Sequence, residues 1–206
     1  MHPSLQFVKT AYVKAQNLLP IMSDYTNPRD CISRLVKNGE LIRLKNGFFV
    51  LTKKIEEGPI PYEQLANLLY GPSYLSFEWA LSYYGMIPEG VYVVTSATSG
   101  HSKSFHTSLG TFDYISLSHL RYSIGIVQKS NESGNFLIAS PEKALADLVF
   151  LKSKHLSSKD LLVDLIEGRR IEEETLRSLD KKHLYDICEN YRSQTVRALI
   201  NAIGII

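Results

Sequence analysis

The segment from residue 27 to residue 51 constrains the fold more than any other part of the chain. Asn27 is a favourable N-cap, and Pro28 follows at the first helical position, where a backbone N–H is not needed. Apolar residues then recur at helical spacing: Cys31, Ile32, Leu35 and Val36. Gly39 suits the end of the helix, because glycine adopts the left-handed conformation without a Cβ clash. The sequence therefore predicts an amphipathic helix between Asn27 and Gly39.

A tight hairpin is predicted directly after this helix. Asn46 and Gly47 separate two strand-like runs, and both residues tolerate the positive φ of a type I′ turn. A two-residue loop pairs Lys45 with Phe48. The resulting register places one apolar set on a common face: Ile42, Leu44, Phe49 and Leu51. It places Arg43 and Lys45 together on the opposite face.

Basic side chains lie on the predicted outer surfaces of both elements. The helix face opposite the apolar stripe carries Arg29, Ser33, Arg34 and Lys37. A capped basic helix followed by a basic hairpin is typical of a winged helix-turn-helix, in which a helix enters the major groove and cations neutralise phosphates. The predicted DNA-binding residues are Arg29, Ser33, Arg34, Lys37, Arg43, Lys45, Asn46 and Lys53. Because many helices and hairpins carry solvated basic faces, a purely structural role is the alternative.

Charge is distributed unevenly along the chain. Residues 1–60 hold nine Lys and Arg against five Asp and Glu, whereas residues 61–206 hold fourteen against sixteen. A polar stretch rich in proline and glycine separates the two parts at residues 53–61. We therefore predict a winged helix-turn-helix domain at residues 1–58 and a second domain at residues 59–206, with a helical tail from about residue 157.

Composition narrows the class of protein. The chain is 44% hydrophobic and 21% charged, as is ordinary for a globular protein. It has no apolar run of membrane-spanning length and no N-terminal signal peptide, so a cytoplasmic protein without a membrane partner is expected. Cys31 and Cys188 form neither a disulfide framework nor a metal pattern, and no cofactor is predicted.

Helices and strands are mixed along the chain, which predicts an α+β fold. Helices are expected at residues 4–18, 62–70 and 76–85, from Pro141 onward, and again from Ser157 to the end. Strands are expected at residues 91–95, 111–117, 122–128 and 136–139. The second domain is accordingly predicted to contain a small, mainly antiparallel sheet packed by helices.

The known patterns of catalytic residues are missing from the sequence. The turn at residues 71–73 is followed by no Asp-x-Asp pair of the kind that nucleotidyltransferases need to hold metal ions. His101, His106 and Asp113 lie near Ser102 and Ser104, but a polar loop explains this grouping better than a triad or a metal site. No enzymatic activity is therefore predicted.

A second set of basic residues lies in the second part of the chain: His101, Lys103, His106, Arg121 and Lys129. This set is consistent with an additional surface for DNA or for RNA of a toxin. Its neighbours in the sequence are nearly neutral, which favours a solvated edge instead.

Three motifs in the second part of the chain are more distinctive than the helix and strand patterns that their residues form. They occupy residues 74–88 (YLSFEWALSYYGMIP), 93–95 (VVT) and 139–147 (ASPEKALAD). Behind the Asn-Gly hairpin, this order resembles the AbiEi family of antitoxins and transcriptional regulators from type IV toxin–antitoxin and phage abortive-infection systems. The resemblance runs from about Asp24 to Leu151. One departure is a compressed region before Asn27, which leaves little room for the middle helix of a helix-turn-helix.

The resemblance implies a function in antiviral defence. The winged helix would repress the chain's own operon, and the larger domain would counteract a nucleotidyltransferase-like toxin encoded next to it. Physically, the motif residues are expected to build the domain, with Lys143 and Asp147 one helical turn apart. The main alternative is a protein-interaction or scaffold module whose winged helix is vestigial and binds no specific DNA. An uncharacterised nucleic-acid enzyme is the third.

Overall fold

The computed structural model describes residues 2–153 and 155–206 as a mixture of helices and sheets. After a 3₁₀ turn at Pro3–Phe7, the helices are α1 (Ala15–Ile21), α2 (Pro28–Lys37), α3 (Thr52–Glu56), α4 (Tyr62–Leu69), α5 (Phe77–Tyr83), α6 (His119–Tyr122), α7 (Pro141–Lys152), α8 (Ser158–Val163), α9 (Glu173–Arg177), α10 (Lys181–Tyr191) and α11 (Gln194–Ile203). A π-helical segment, Asp164–Gly168, continues α8. The predicted α+β class is confirmed.

The strands form two sheets. They are β1 (Tyr12–Lys14), β2 (Leu41–Lys45), β3 (Phe48–Leu51), β4 (Ser73–Leu75), β5 (Val93–Thr98), β6 (Lys103–Thr107), β7 (Gly110–Ser116), β8 (Ile126–Asn131) and β9 (Gly134–Ala139). The first sheet is antiparallel, in the order β1-β3-β2. The second has six strands in the order β6-β7-β5-β4-β9-β8. Its β5–β7 and β4–β9 pairs are parallel, so this sheet is larger and more mixed than the sequence predicted.

The predicted opening helix at residues 4–18 is wrong. The chain forms the 3₁₀ turn, then β1, and only then α1, which includes Pro20. Strand β1 pairs with β3, whose edge would otherwise leave backbone groups unpaired. Leu5 and Val8 of the 3₁₀ turn region and Val13 of β1 are buried together in one core.

Helix α2 confirms the strongest local prediction. The Asn27 side chain accepts a hydrogen bond from the Asp30 backbone N–H at 3.5 Å, which caps the first turn. Cys31, Ile32 and Leu35 are buried beneath the helix. The chain leaves it through Gly39, which has a φ of +75°.

The hairpin is irregular, and the predicted faces of β2 are wrong. Lys45 pairs with Phe48 as expected, but Arg43 pairs with Phe49, so Leu44 is an extra residue in the strand. This bulge reverses the side-chain alternation upstream of it. Arg43 consequently lies on the side of Phe49, whereas Lys45 and Phe48 lie on the opposite side.

Each face of the small sheet packs into a different core. The N-terminal core consists of Leu5, Val8, Val13, Leu18, Met22, Cys31, Ile32, Leu35, Leu41, Phe49 and Leu51. The larger core, built around the six-stranded sheet, also includes Leu44, Phe48 and Val50. The hairpin is therefore shared by both halves of the chain, whereas the predicted boundary between residues 58 and 59 assigns it to the first domain alone.

The C-terminal helices cover the larger sheet. Helix α7 is buried along most of its length, and α10 and α11 pack against it. Across residues 2–153 and 155–206, none of the helices has the length and apolar character needed to span a lipid bilayer.

Candidate nucleic-acid interface

Helix α2 presents its polar face to solvent. Arg29, Ser33, Arg34 and Lys37 are all exposed, because the apolar stripe on the other side of the helix anchors it to the N-terminal core. The Ser33 hydroxyl donates a hydrogen bond to the Arg29 carbonyl at 3.0 Å, so it is partly engaged within the helix. The three cations form no ion pair with another residue in the described part of the chain.

Arg43, Asn46 and Lys53 are the exposed members of the predicted wing. The Arg43 guanidinium lies 5.7 Å from the centre of the Phe49 ring, an arrangement that favours a cation. Asn46 is at the tip of the turn. Lys53 is the second residue of α3, which follows the hairpin directly, and its Nζ is 3.5 Å from the Glu57 carboxylate. Both partners of that pair are more than half exposed, so the interaction stabilises the fold little.

Lys45 differs from the other wing residues because it is only partly exposed. Its Nζ donates a hydrogen bond to the carbonyl of Leu69, at the C-terminal end of α4, where the helix dipole attracts a cation. Burial lowers the pKa of Lys45, and the charges of Lys14 and Lys103 lower it further. Three lysines from β1, β2 and β6 therefore lie near one another.

We call Lys14, Lys45 and Lys103 the junction lysines, because they lie where the small sheet meets the six-stranded one. Lys14 and Lys45 both pair with Phe48, one from each neighbouring strand. The Lys103 Nζ lies 5.6 Å from the Tyr70 ring centre and 4.9 Å from that of Phe105. No local sequence pattern links these lysines, since they are far apart in the chain and the packing of their strands brings them together.

The second predicted basic set is divided by the structure. Lys103 and His106 lie on β6, at one edge of the six-stranded sheet, and Lys129 lies on β8, at the other edge. Arg121 is engaged inside the fold, where its guanidinium stacks 4.3 Å from the Phe150 ring centre and donates to the Tyr191 carbonyl at 3.0 Å. These residues do not form one continuous surface.

The serine, histidine and aspartate residues between His101 and Asp113 do not form a catalytic triad. Ser104 donates directly to the Asp113 carboxylate, with no histidine between them. The His106 Nδ1 is instead 3.2 Å from the Thr111 hydroxyl. Within the described ranges, no group of histidine, cysteine and acidic side chains is arranged to hold a metal ion.

Two of the sequence motifs meet in a buried polar network around Asp147. One carboxylate oxygen accepts hydrogen bonds from the Ser76 hydroxyl at 2.6 Å and the Tyr74 hydroxyl at 3.2 Å. The other is 2.7 Å from the Lys143 Nζ, and both charged side chains are fully buried. Tyr191 donates to the same oxygen from α10. The spacing of one helical turn between Lys143 and Asp147 predicts their pair, whereas Tyr191 carries no local signal in the sequence.

Burial shifts the protonation equilibria of this network. It lowers the pKa of Lys143, although the neighbouring Asp147 carboxylate acts in the opposite direction. It raises the pKa of Tyr191 well above its ordinary value, and the Asp147 charge raises it further. The network is inaccessible to solvent, so its contribution is to connect β4, α7 and α10.

The same helix, α7, is anchored by two further motif residues. The Ser140 side chain caps its first turn by accepting from the Lys143 N–H at 3.2 Å. The Glu142 carboxylate accepts the Asp180 N–H at 3.1 Å, directly before α10. These contacts give the residue 139–147 motif a structural function.

No protein-family model matches the chain, and a comparison with curated proteins found no match. The resemblance to the AbiEi family therefore remains a prediction based on the motifs.

Proposed function

We propose that this chain is a sequence-specific, double-stranded-DNA-binding repressor that also acts as the antitoxin of a type IV toxin–antitoxin system. The observation that carries the proposal is the exposed polar face of α2, which packs beside the hairpin whose turn exposes Asn46. In a winged helix-turn-helix, α2 would be the recognition helix and the hairpin the wing.

Spacing along α2 supports its role in reading bases. Arg29, Ser33 and Lys37 recur every fourth residue, which aligns them along one side of the helix for about 12 Å. Arg34 lies beside this row and is the best candidate for direct readout, because its guanidinium can bond both acceptors of a guanine. Since Ser33 is engaged with the Arg29 carbonyl, we assign it a weaker contribution.

Phosphate binding is assigned to the wing and its surroundings. Arg43 and Asn46 are exposed in the hairpin, and Lys53 is exposed in α3, beyond the end of the hairpin opposite the turn. Lys45 is partly exposed and lies with the other junction lysines. Each lysine or arginine that neutralises a phosphate releases counterions, so binding should weaken steeply with salt.

The antitoxin assignment follows from the family resemblance. The proposed partner is a nucleotidyltransferase-like toxin encoded beside the chain, in the cytoplasm, and the part that counteracts it is the six-stranded sheet with its helices. The fold of this part is maintained by the Asp147 network. The network itself has no exposed group to offer to a partner.

The test is fluorescence anisotropy with the DNA upstream of the chain's own gene, with a scrambled duplex as competitor. We expect preferential binding to the upstream DNA that Arg34→Ala weakens by about 1–3 kcal/mol, with relaxed preference at one base pair. Lys159→Ala, an exposed cation on α8, is the matched control and should leave affinity unchanged. Unaltered affinity and preference in Arg34→Ala would contradict the assignment of α2 as the reader.

A scaffold module with a vestigial winged helix is the second candidate, and the packing of the hairpin favours it. One hairpin face is covered by the larger core, and Lys45 is bonded to α4. In addition, α1 has only seven residues, which is short for the middle helix of the motif. Equal affinity for the upstream and scrambled duplexes would support this alternative.

A further inference from the structure

A cleft lies beside β5 and β7, away from the predicted DNA-binding surface. Its volume is about 620 Å³, within the range of small-molecule sites. Phe112 and Tyr114 of β7 face α4, where the Tyr114 hydroxyl donates to the Ala66 carbonyl at 2.6 Å. Because side chains alternate along a strand, Asp113 points to the other face of the sheet, where the cleft is located.

Among the charged side chains that line this cleft, the one that forms no described ion pair is an aspartate. The two cations in the lining are each already paired: Lys152 is 3.7 Å from the Glu78 carboxylate, and Arg169 is 3.0 Å from that of Asp164. Asp113 is partly exposed and accepts a hydrogen bond from Ser104, but it takes part in none of the ion pairs among the described residues. A bound cation would supply the missing charge.

The remaining lining suits the body of an aliphatic cation. The apolar surface comes from Ile87, Val91, Val93 and Leu148. Tyr92, also in the lining, is 92% exposed, so its ring is free to receive a second cationic group over its face. A carboxylate, an apolar wall and an open aromatic ring together match a molecule with positive ends and a methylene chain.

We propose that this cleft binds a small aliphatic polycation of the polyamine class. One ammonium group is held by the Asp113 carboxylate, the methylene chain lies against Val93 and Leu148, and another ammonium group lies over Tyr92. A nucleotide is disfavoured because both cations of the lining, Lys152 and Arg169, are already paired with carboxylates. The Glu89 carboxylate is paired with Arg170, so the acid that its phosphates would meet without a counterion is Asp113.

The experiment is isothermal titration of the full-length protein with spermidine and with agmatine. We expect saturable binding that Asp113→Asn weakens by at least about tenfold, since asparagine keeps the shape and the hydrogen bond with Ser104 but removes the charge. Tyr92→Ala should weaken binding about threefold or more through loss of the ring. The matched controls are Asp186→Asn and Tyr185→Ala, which alter exposed residues of α10 outside the cleft.

Two further titrations use adenosine triphosphate and a tetralysine peptide. Binding of spermidine or agmatine that depends on Asp113 but not on Asp186 supports the proposal. Equal loss in both aspartate variants would mean general attraction to acidic surface and would overturn it. Binding of tetralysine through Asp113 without binding of the free polyamines would also overturn the proposal. So would binding of adenosine triphosphate that is weakened in Lys152→Gln. Near-ultraviolet circular dichroism confirms that each variant remains folded.

Discussion

Asp147 connects side chains that are far apart in the sequence. Ser76 reaches it from the start of α5, and Tyr191 reaches it from the end of α10. Its ion pair with Lys143 is fully buried, and such a pair stabilises a protein only when hydrogen bonds satisfy the remaining polar atoms. Tyr191 supplies one of those bonds to each partner, since its hydroxyl contacts both Lys143 and Asp147.

Removing that hydroxyl should destabilise the protein. We expect Tyr191→Phe to lower the free energy of unfolding by about 1–3 kcal/mol, because the buried ion pair loses a hydrogen-bonding partner. The measurement is urea denaturation followed by circular dichroism. Tyr185→Phe is the control, since Tyr185 lies on the same helix and is 53% exposed. Equal stability of the two variants would show that the network does not depend on Tyr191.

Buried tyrosines should also make the protein sensitive to alkali. Burial raises the pKa values of Tyr74, Tyr84, Tyr114, Tyr122 and Tyr191, and that of Tyr84 is about 12. A tyrosine whose pKa is raised in the folded state contributes to the free energy of unfolding, and this contribution is fully present below the unfolded pKa of 10.0. The contribution is lost as the pH rises from 10.0 through the folded pKa. Lys45 and Lys143, whose pKa values are lowered, act with the opposite sign.

Since the five tyrosines outnumber these two lysines, we expect the free energy of unfolding to fall as the pH increases above about 10. Urea denaturation at a series of pH values measures it, and tyrosinate absorbance reports ionisation. Ionisation of all twelve tyrosines near pH 10 without loss of structure would contradict the prediction.

At the scale of elements, the bulge at Leu44 changes what the hairpin can contact. It separates Arg43 from Lys45, so that Arg43 lies over Phe49 while Lys45 reaches α4. The wing surface therefore differs from the one predicted, in which both cations shared a face. Arg43 and Lys53 remain exposed and are the better candidates for phosphate contacts.

The salt dependence of DNA binding tests this distinction. Arg43→Ala should reduce the slope of log affinity against log salt by about one unit, with equal weakening on all sequences. Lys45→Gln should change the slope less, because Lys45 is held by the Leu69 carbonyl. If the slope were unchanged in Arg43→Ala, or if Lys45→Gln reduced it more, the phosphate contacts would lie elsewhere.

For the molecule as a whole, the shared hairpin couples its two halves. Phe48 and Phe49 are adjacent in sequence, are both almost fully buried, and belong to different cores. The sequence predicts a separate second domain at residues 59–206. The larger core, however, includes Leu44, Phe48 and Val50 from the first half, so such a fragment would expose the surface that they cover.

These two phenylalanines allow the coupling to be measured. Trp79, the single tryptophan, lies in α5 and its fluorescence reports on the larger core. Phe48→Ala should lower the free energy of unfolding seen by Trp79 by about 3–5 kcal/mol, because it creates a cavity in that core. Phe49→Ala cuts the other core, and because the shared hairpin couples the two cores it should also lower the value seen by Trp79. No effect of Phe49→Ala on the Trp79 signal would show that the two halves unfold independently, and no effect of Phe48→Ala would show that Phe48 does not support the larger core.

Sequence alone determined the features whose signals lie within a few residues. The caps of α2 and α7, the exposed basic face of α2 and the turn at Asn46 and Gly47 follow from local preferences, so each could be predicted. Only the tertiary structure decided features that depend on distant partners. Strand β1 exists because β3 offers an edge, and the junction lysines meet because β2 and β6 are neighbours. Tyr191 reaches Asp147 across 44 residues because helix packing, unlike capping, leaves no signature at either position.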